Sequence, residues 1–254
     1  MGVRKRNKKA VSLDRYSSIP LYLQIAETLK RRISLGEYNE SDLSFTGEAL
    51  EKEFGASNIT IRKALDLLRS EGIVERRRGI GTTFYEMAPE PFVFELSRSD
   101  QEMIQTLDKV KPYVRVIEAA TIACPKCAQK ILSLNPDQEV WRMKRIRKHK
   151  GMPVAFYAYY AATGLCEGIS DNDVKDAPFH DGFQRVTGTK IDIIRQSIKS
   201  VVADLDMSTV LKIPFGSPLI FRENIYYSPS GEVLFFSQSY YRGDMFVFRA
   251  SVQL

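Results

Sequence analysis

The chain has 254 residues, enough for two domains that each bury a core, and its 44% hydrophobic and 27% charged residues are the balance of a soluble globular protein. No apolar run approaches the length of a membrane span, and the basic start passes through Ala10–Leu13 straight into Asp14 and Arg15, which excludes a signal peptide's apolar stretch; a cytoplasmic location without a membrane partner is expected. The net charge is +6, and residues 1–86 hold 16 Lys+Arg against 12 Asp+Glu, so most of the excess lies in the first third and suits a nucleic-acid partner there.

Met1–Lys9 carries Arg4, Lys5, Arg6, Lys8 and Lys9 without an apolar pattern. Residues 1–15 are expected to be a disordered basic arm, able to touch a DNA backbone. From Ile19 to Leu35 the apolar residues Leu21, Ile25, Leu29 and Ile33 recur at helical spacing, and Gly36 ends that helix. A second helix is predicted over Glu48–Phe54 and is broken at Gly55. A third starts at Ser57, a good N-cap, with Ile61, Ala64, Leu65 and Leu68 on one face. Its other face begins with Ser57, Asn58, Thr60, Arg62 and Lys63, side chains of the kinds that read base edges or grip phosphates. After Gly72, the runs Ile73–Arg77 and Thr82–Tyr85 flank Arg78-Gly79-Ile80-Gly81, a hairpin with arginines at its tip. One basic amphipathic helix would be an ordinary solvated surface. The full order of helix, glycine turn, helix and arginine-glycine hairpin points instead to a winged helix-turn-helix, with Arg77, Arg78 and Gly79 in the wing.

Glu86–Phe94, with two prolines, reads as a linker. Beyond it the periodicity changes. Strands are predicted over Tyr113–Ala123, Glu139–His149, Met152–Ala162, Thr189–Asp204, Leu219–Tyr227, Val233–Tyr241 and Phe246–Val252. Helices are predicted over Pro125–Leu134, Phe179–Val186 and Ser208–Lys212. Lys150-Gly151 is a two-residue turn signal, and strands joined by hairpins imply an α+β domain on an antiparallel sheet. The three cysteines include Cys124-Pro125-Lys126-Cys127, but neither His149 nor His180 stands at ligand spacing to complete a metal site. Pro125 opening a helix is the plainer reading, with a thiol activated by the helix N-terminus as the sharper one. No metal or other cofactor is expected.

Several of these stretches resemble a known family. Pro20–Ala26, Phe54–Leu65, and Gly72–Arg76 with Gly79–Thr82 are similar to the opening, recognition helix and wing of the GntR family of bacterial transcription regulators. Arg145-Ile146-Arg147 with Gly151–Ala155, Leu211 with Ile213-Pro214 and Gly216–Leu219, and Ser239–Asp244 resemble the UTRA effector domain of its HutC branch. The resemblance implies a homodimer on a double-stranded operator, and a chorismate-lyase-like C-terminal fold that binds a small molecule. The expected layout is a DNA-binding domain over 1–85, a linker over 86–97 and an effector-binding and dimerisation domain over 98–254.

Arg62 and Thr60 match family positions that contact DNA. Two positions depart: Thr46-Gly47-Glu48 stands where the family usually has Ser-Glu-Arg, and Asn58 where arginine is common. Arg145 and Arg147 lie two apart on one strand and so share a face, which suits a phosphate or carboxylate. On pattern alone a solvated charge run with Arg142, Lys144, Lys148 and Lys150 is the better reading. The resemblance reverses it, because arginines here hold the phosphate in members that sense sugar phosphates. Those members place carboxylates at Tyr157 and Phe235 and a tyrosine at His180. An anionic effector with a flatter or less hydroxylated body than an amino sugar, or a sugar bound by stacking, is therefore expected. Tyr241 and Arg242 match the pocket-side motif. The aromatics of Val233–Tyr241 and Phe246–Val252 are expected to supply part of a two-fold contact. A ligand-responsive regulator, a repressor in its simplest form, is the leading reading. A DNA-binding protein whose second half only dimerises, and an enzyme of chorismate-lyase-like fold, are the alternatives; the enzyme lacks any nucleophile–base pair or phosphate loop in the sequence.

Overall fold

The computed structural model describes residues 12–38, 45–77, 81–84, 92–95, 113–175 and 177–250. The chain divides into two compact units, Met1–Glu90 and Pro91–Leu254. Met1–Lys9, the wing-tip residues Arg78–Ile80 and most of the expected linker lie outside the described residues.

In the first unit, α1 (Leu21–Ser34), α2 (Gly47–Phe54) and α3 (Asn58–Ser70) precede a hairpin of β1 (Val74–Arg77) and β2 (Gly81–Phe84). The helical faces read from the sequence meet in one core: Ile25 and Leu29 of α1, Leu50 and Phe54 of α2, and Ile61, Ala64, Leu65 and Leu68 of α3. Each junction has a local cause. Thr46 caps α2 by accepting from the Ala49 N–H at 3.2 Å. Gly55 ends α2 with φ of +57°, left-handed backbone that suits glycine, and so sets the turn into α3. Ser57 caps α3, accepting from the Thr60 N–H. The ion pair of Arg32 and Glu53, both largely buried, ties α1 to α2.

The expected disorder of 1–15 does not extend to its end. Asp14 Oδ1 accepts from the N–H groups of Tyr16 and Ser17, Leu13 packs on the core, and Arg15 Nη2 donates to the Gly55 carbonyl at 2.9 Å. This segment thus braces the turn between the two helices.

The second unit is built on a six-stranded antiparallel sheet in the order β4-β5-β6-β9-β8-β7. Its strands are β4 (Tyr113–Ala123), β5 (Glu139–His149), β6 (Met152–Ala162), β7 (Ile193–Val202), β8 (Pro218–Tyr227) and β9 (Val233–Arg242). β5 and β6 start and stop where the alternation and the Lys150-Gly151 turn place them; both turn residues have positive φ, as a two-residue hairpin demands. α4 (Lys126–Leu132) and α7 (Leu205–Leu211) cover one face of the sheet. α5 (Asp171–Val174) and α6 (Phe179–Thr187) lie on the other, where Phe179 and Phe183 pack against Trp141, Tyr159 and Phe235.

Three expectations need correction. Phe92–Glu95, assigned to the linker, is a strand (β3) paired in parallel with β10 (Phe246–Arg249), because Phe92 has a ring to bury against Phe246. Thr189–Asp204 is too long as a strand: Asp204 instead caps α7 by accepting from the Met207 N–H. The aromatics of β9 do not form an outer contact surface. Phe235, Phe236 and Tyr241 are fully buried inside the unit, and the exposed apolar residues Ile193, Ile198 and Val202 lie on the edge strand β7. Among the described residues no helix is long and apolar enough to cross a membrane, and no group of His, Cys, Asp and Glu is placed to hold a metal.

Candidate functional site

The first unit presents α3 outward. Ile61, Ala64, Leu65 and Leu68 face the core, which leaves Ser57, Asn58, Ile59, Arg62 and Lys63 exposed and Thr60 half-buried. Thr60 and Ser57 are joined by a hydroxyl–hydroxyl hydrogen bond of 3.0 Å at the helix start. Asn58 is not idle either: its Nδ2 donates to Glu51 Oε1 at 2.6 Å, which ties α3 back to α2. Arg62 and Lys63 are the cations of this face. Ile59 is 68% exposed among these polar neighbours, an apolar group that the sequence reading passed over because it looks only for polar contacts. On a surface that enters a major groove, such a side chain meets thymine methyl groups. Arg77 closes β1 opposite Gly81, while Arg78 and Gly79 lie outside the described residues.

The second unit's site follows from strand register. The pairing sets Arg145 beside Tyr157, then Ser239, then Arg222 across β5, β6, β9 and β8. The row above contains Arg147, Ala155, Tyr241 and Ile220; the row below contains Met143, Tyr159, Ser237 and Asn224. Register irregularities lie after Val116 in β4 and after Arg147 in β5, close to the two arginines.

Both guanidinium groups rest on aromatic rings, Arg147 over Tyr157 at 5.6 Å and Arg145 over Tyr159 at 5.9 Å. Arg145 is 3% exposed and donates through Nη2 to the carbonyl of Val174 at the end of α5. Arg147 Nε and Nη1, Arg145 Nε and the Tyr157 hydroxyl are all buried and have no hydrogen-bond partner among the described residues. Neither arginine pairs with a carboxylate there. A buried cation without a counter-charge is costly, so the arrangement asks for an anion. Burial raises the Tyr157 hydroxyl well above its ordinary range, with the Arg147 charge opposing, so it stays protonated and can donate to that anion.

The other predicted residues divide. Tyr241 is fully buried on the same face, edge-on to Tyr157 at 5.7 Å. Phe235 is there too, but it stacks on Tyr226 at 4.1 Å as part of the core. His180 of α6 lies over Tyr226 with 6.1 Å between rings. Arg242 is not brought together with them. It follows Tyr241 along β9 and so points to the opposite face, where its Nε and Nη2 both donate to Asp244. The residues missed by sequence reading are Arg222, Asn224, Tyr226 and Ser237. Their signal was present in β8, where Arg222 and Asn224 occupy the buried phase of the alternation. Cys124 and Cys127 are not activated: burial pushes both thiols up, and Cys166 is pushed up to about 12 in the same way.

A model of the UTRA domain matches residues 108–247, more than half of the chain, and a model of the bacterial regulatory proteins of the gntR family matches residues 21–84. The chain belongs to the GntR family of bacterial regulatory proteins. This regulator is similar to the mannosyl-D-glycerate transport/metabolism system repressor MngR of Escherichia coli (strain K12), 27% identical over 92% of this chain and 96% of that protein. It is also similar to the transcriptional repressor NagR of Bacillus subtilis (strain 168), 25% identical over 94% and 97%. Its fold is shared with PhnF from Mycobacterium smegmatis, with a TM-score of 0.56 at 17% identity over 90% of this chain and 99% of that one. The regulator therefore pairs a DNA-binding helix-turn-helix with an effector-binding UTRA domain, and its relatives are named regulators rather than enzymes.

Proposed function

We propose that the regulator is a repressor released or tightened by a small anionic metabolite, which binds at Arg145, Arg147 and Tyr157. The observation that carries this is the set of buried donors at those three residues with no partner among the described residues. The named repressors among its relatives support the direction of control, and glycerate in the name of the Escherichia coli relative is itself a carboxylate. A phosphate or carboxylate placed between two guanidinium groups and a phenol accepts several charge-assisted hydrogen bonds at once.

On the DNA side, Ser57, Asn58, Ile59, Thr60, Arg62 and Lys63 enter a major groove, while Arg77, Arg78 and Gly79 follow the backbone beside it. The operator is a near-palindrome read by a homodimer. The apolar edge strand β7 suits a second copy, since an open strand with Ile193, Ile198 and Val202 exposed is otherwise an aggregation hazard. Light scattering at micromolar concentration tests the dimer, and a monomer would count against it.

Thermal-shift titration tests the effector reading. Inorganic phosphate, hexose 6-phosphates, sugar acids and aromatic acids are compared on wild type and on Arg145→Ala/Arg147→Ala. A true effector at a hundredfold excess over its Kd adds about 2.7 kcal/mol of stability to the wild type. An anion that stabilises both proteins equally would remove these arginines from the site.

A further inference from the structure

The anion accounts for one end of the sheet face, and a different chemistry waits at the other. Asn224 of β8 is 3% exposed, yet its Oδ1 is buried with no hydrogen-bond partner among the described residues. Its Nδ2 donates to the Tyr226 hydroxyl at 3.2 Å, and the Ser237 hydroxyl adjoins the same phenol oxygen. The two ends of an amide exchange easily, but either orientation leaves one end of Asn224 unsatisfied. Asn224 stands directly across from Ser237, which itself faces Tyr159, so this polar group lies on the same face as the arginines. The small side chains of Ser237 and Ser239 on β9 separate the two ends. β5 and β8 are three strands apart, about 14 Å between backbones at the usual strand spacing, and the long arginine and tyrosine side chains reach inward across part of that.

We infer that Asn224, with Tyr226 and Ser237, is a second subsite that reads hydroxyl groups on the neutral body of the effector. This rests on the anion sitting at Arg147. A hydroxyl is the group that fits, because it donates to an amide oxygen and accepts from an amide nitrogen, whereas an aromatic body satisfies neither. The effector is therefore a polyhydroxylated anion, a phosphorylated sugar or a sugar acid, although Tyr157 and Phe235 stand where the family resemblance implies carboxylates. From those two positions the sequence pattern suggests a flatter or less hydroxylated body, or a sugar bound by stacking; the burial of Asn224 across the sheet comes only from the fold. The hydrogen-bonding groups for the body stand instead on β8, at Asn224 and Tyr226, and on β9, at Ser237.

Calorimetric titration of the full-length protein decides it, with three probes: phenyl phosphate, inorganic phosphate and a panel of glucose, mannose and glucosamine 6-phosphates. The wild type is expected to bind the best hexose phosphate at least tenfold more tightly than phenyl phosphate. Asn224→Leu should erase that gap by weakening the hexose phosphates, and inorganic phosphate, which reaches only the arginines, reports that the variant is folded. Ser237→Ala, which removes a hydroxyl and almost no bulk, should narrow the gap at least threefold. Equal binding of phenyl and hexose phosphates to the wild type, or a full gap retained in both variants, would overturn the hydroxyl subsite alone. Failure of all three phosphates to bind the wild type, or binding undiminished in Arg147→Ala, would overturn the anion reading beneath it.

Discussion

The two halves of the regulator hold the residues proposed for their functions in opposite ways. On the DNA side, Ser57, Asn58, Ile59, Arg62 and Lys63 fall within seven consecutive positions of one exposed helix face. On the effector side, Arg145, Arg147, Tyr157, Asn224 and Tyr241 come from four strands and are mostly buried. A helix gathers neighbours in sequence onto one surface, so a DNA-reading face costs the core nothing. A sheet gathers residues distant in sequence, so a ligand site made from it shares its wall with the core. The first surface can change its specificity residue by residue, while the second trades every substitution against packing.

That contrast can be pressed hardest at Phe235, which stacks on Tyr226 and packs on Phe179 and Phe183 at the floor of the site. Phe235→Ala should destabilise the second unit by about 3–5 kcal/mol. In a melt followed by circular dichroism, the transition of the effector unit is expected to fall. A variant that melts like wild type would mean that this face is not a shared core wall. Arg62→Ala, by contrast, should leave the melt unchanged and cost about 1–3 kcal/mol of operator affinity, relaxing specificity at one base pair. Ile59→Ser should discriminate less between thymine and the other bases at its own position. Gel shifts on the upstream region settle both, and an Arg62→Ala protein that binds as wild type does would sink the recognition-helix assignment.

A smaller effect is expected in the wing. Removing Arg77 should weaken binding to all sequences alike and lower the slope of log affinity against log salt by about one. The smallest concerns the face of the sheet away from Arg145 and Arg147. Hydrogen bonding by Lys144, and then by Arg142, holds the Glu118 carboxyl below its ordinary value, against the opposing effect of burial. A depressed carboxylate stabilises the fold above its unfolded value and loses that contribution as pH falls through the folded one. The group is a third exposed, so under about 1 kcal/mol is at stake. Glu118→Gln should flatten the acid limb of the stability curve below pH 4.5 and leave neutral stability almost unchanged; an unaltered acid limb would refute the assignment.

What could be read in the sequence follows the same division. The helix-turn-helix was legible because its caps, Gly55 and its apolar spacing are all local. β5 and β6 were legible to the residue because the Lys150-Gly151 turn fixes their register. The pairing of β3 with β10 joins residues more than a hundred positions apart and left no local mark beyond the aromatic Phe92. The far face of Arg242 follows from its place beside Tyr241 in β9, whereas the placement of Asn224 opposite Ser237 depends on which strands adjoin. Only the folded order β6-β9-β8 supplies that. The bond from Asn58 to Glu51 was not legible either, because it spans two helices.

The central claim is that anion sensing and DNA reading reside in separate residues joined by one chain. Fluorescence anisotropy of a labelled upstream DNA fragment tests it most directly, with the best-binding hexose phosphate titrated into wild type and Arg147→Ala. The account predicts that both proteins hold the DNA with the same affinity when no ligand is present, and that only the wild type changes its affinity as ligand is added. An Arg147→Ala protein that responds to the ligand as wild type does would contradict it.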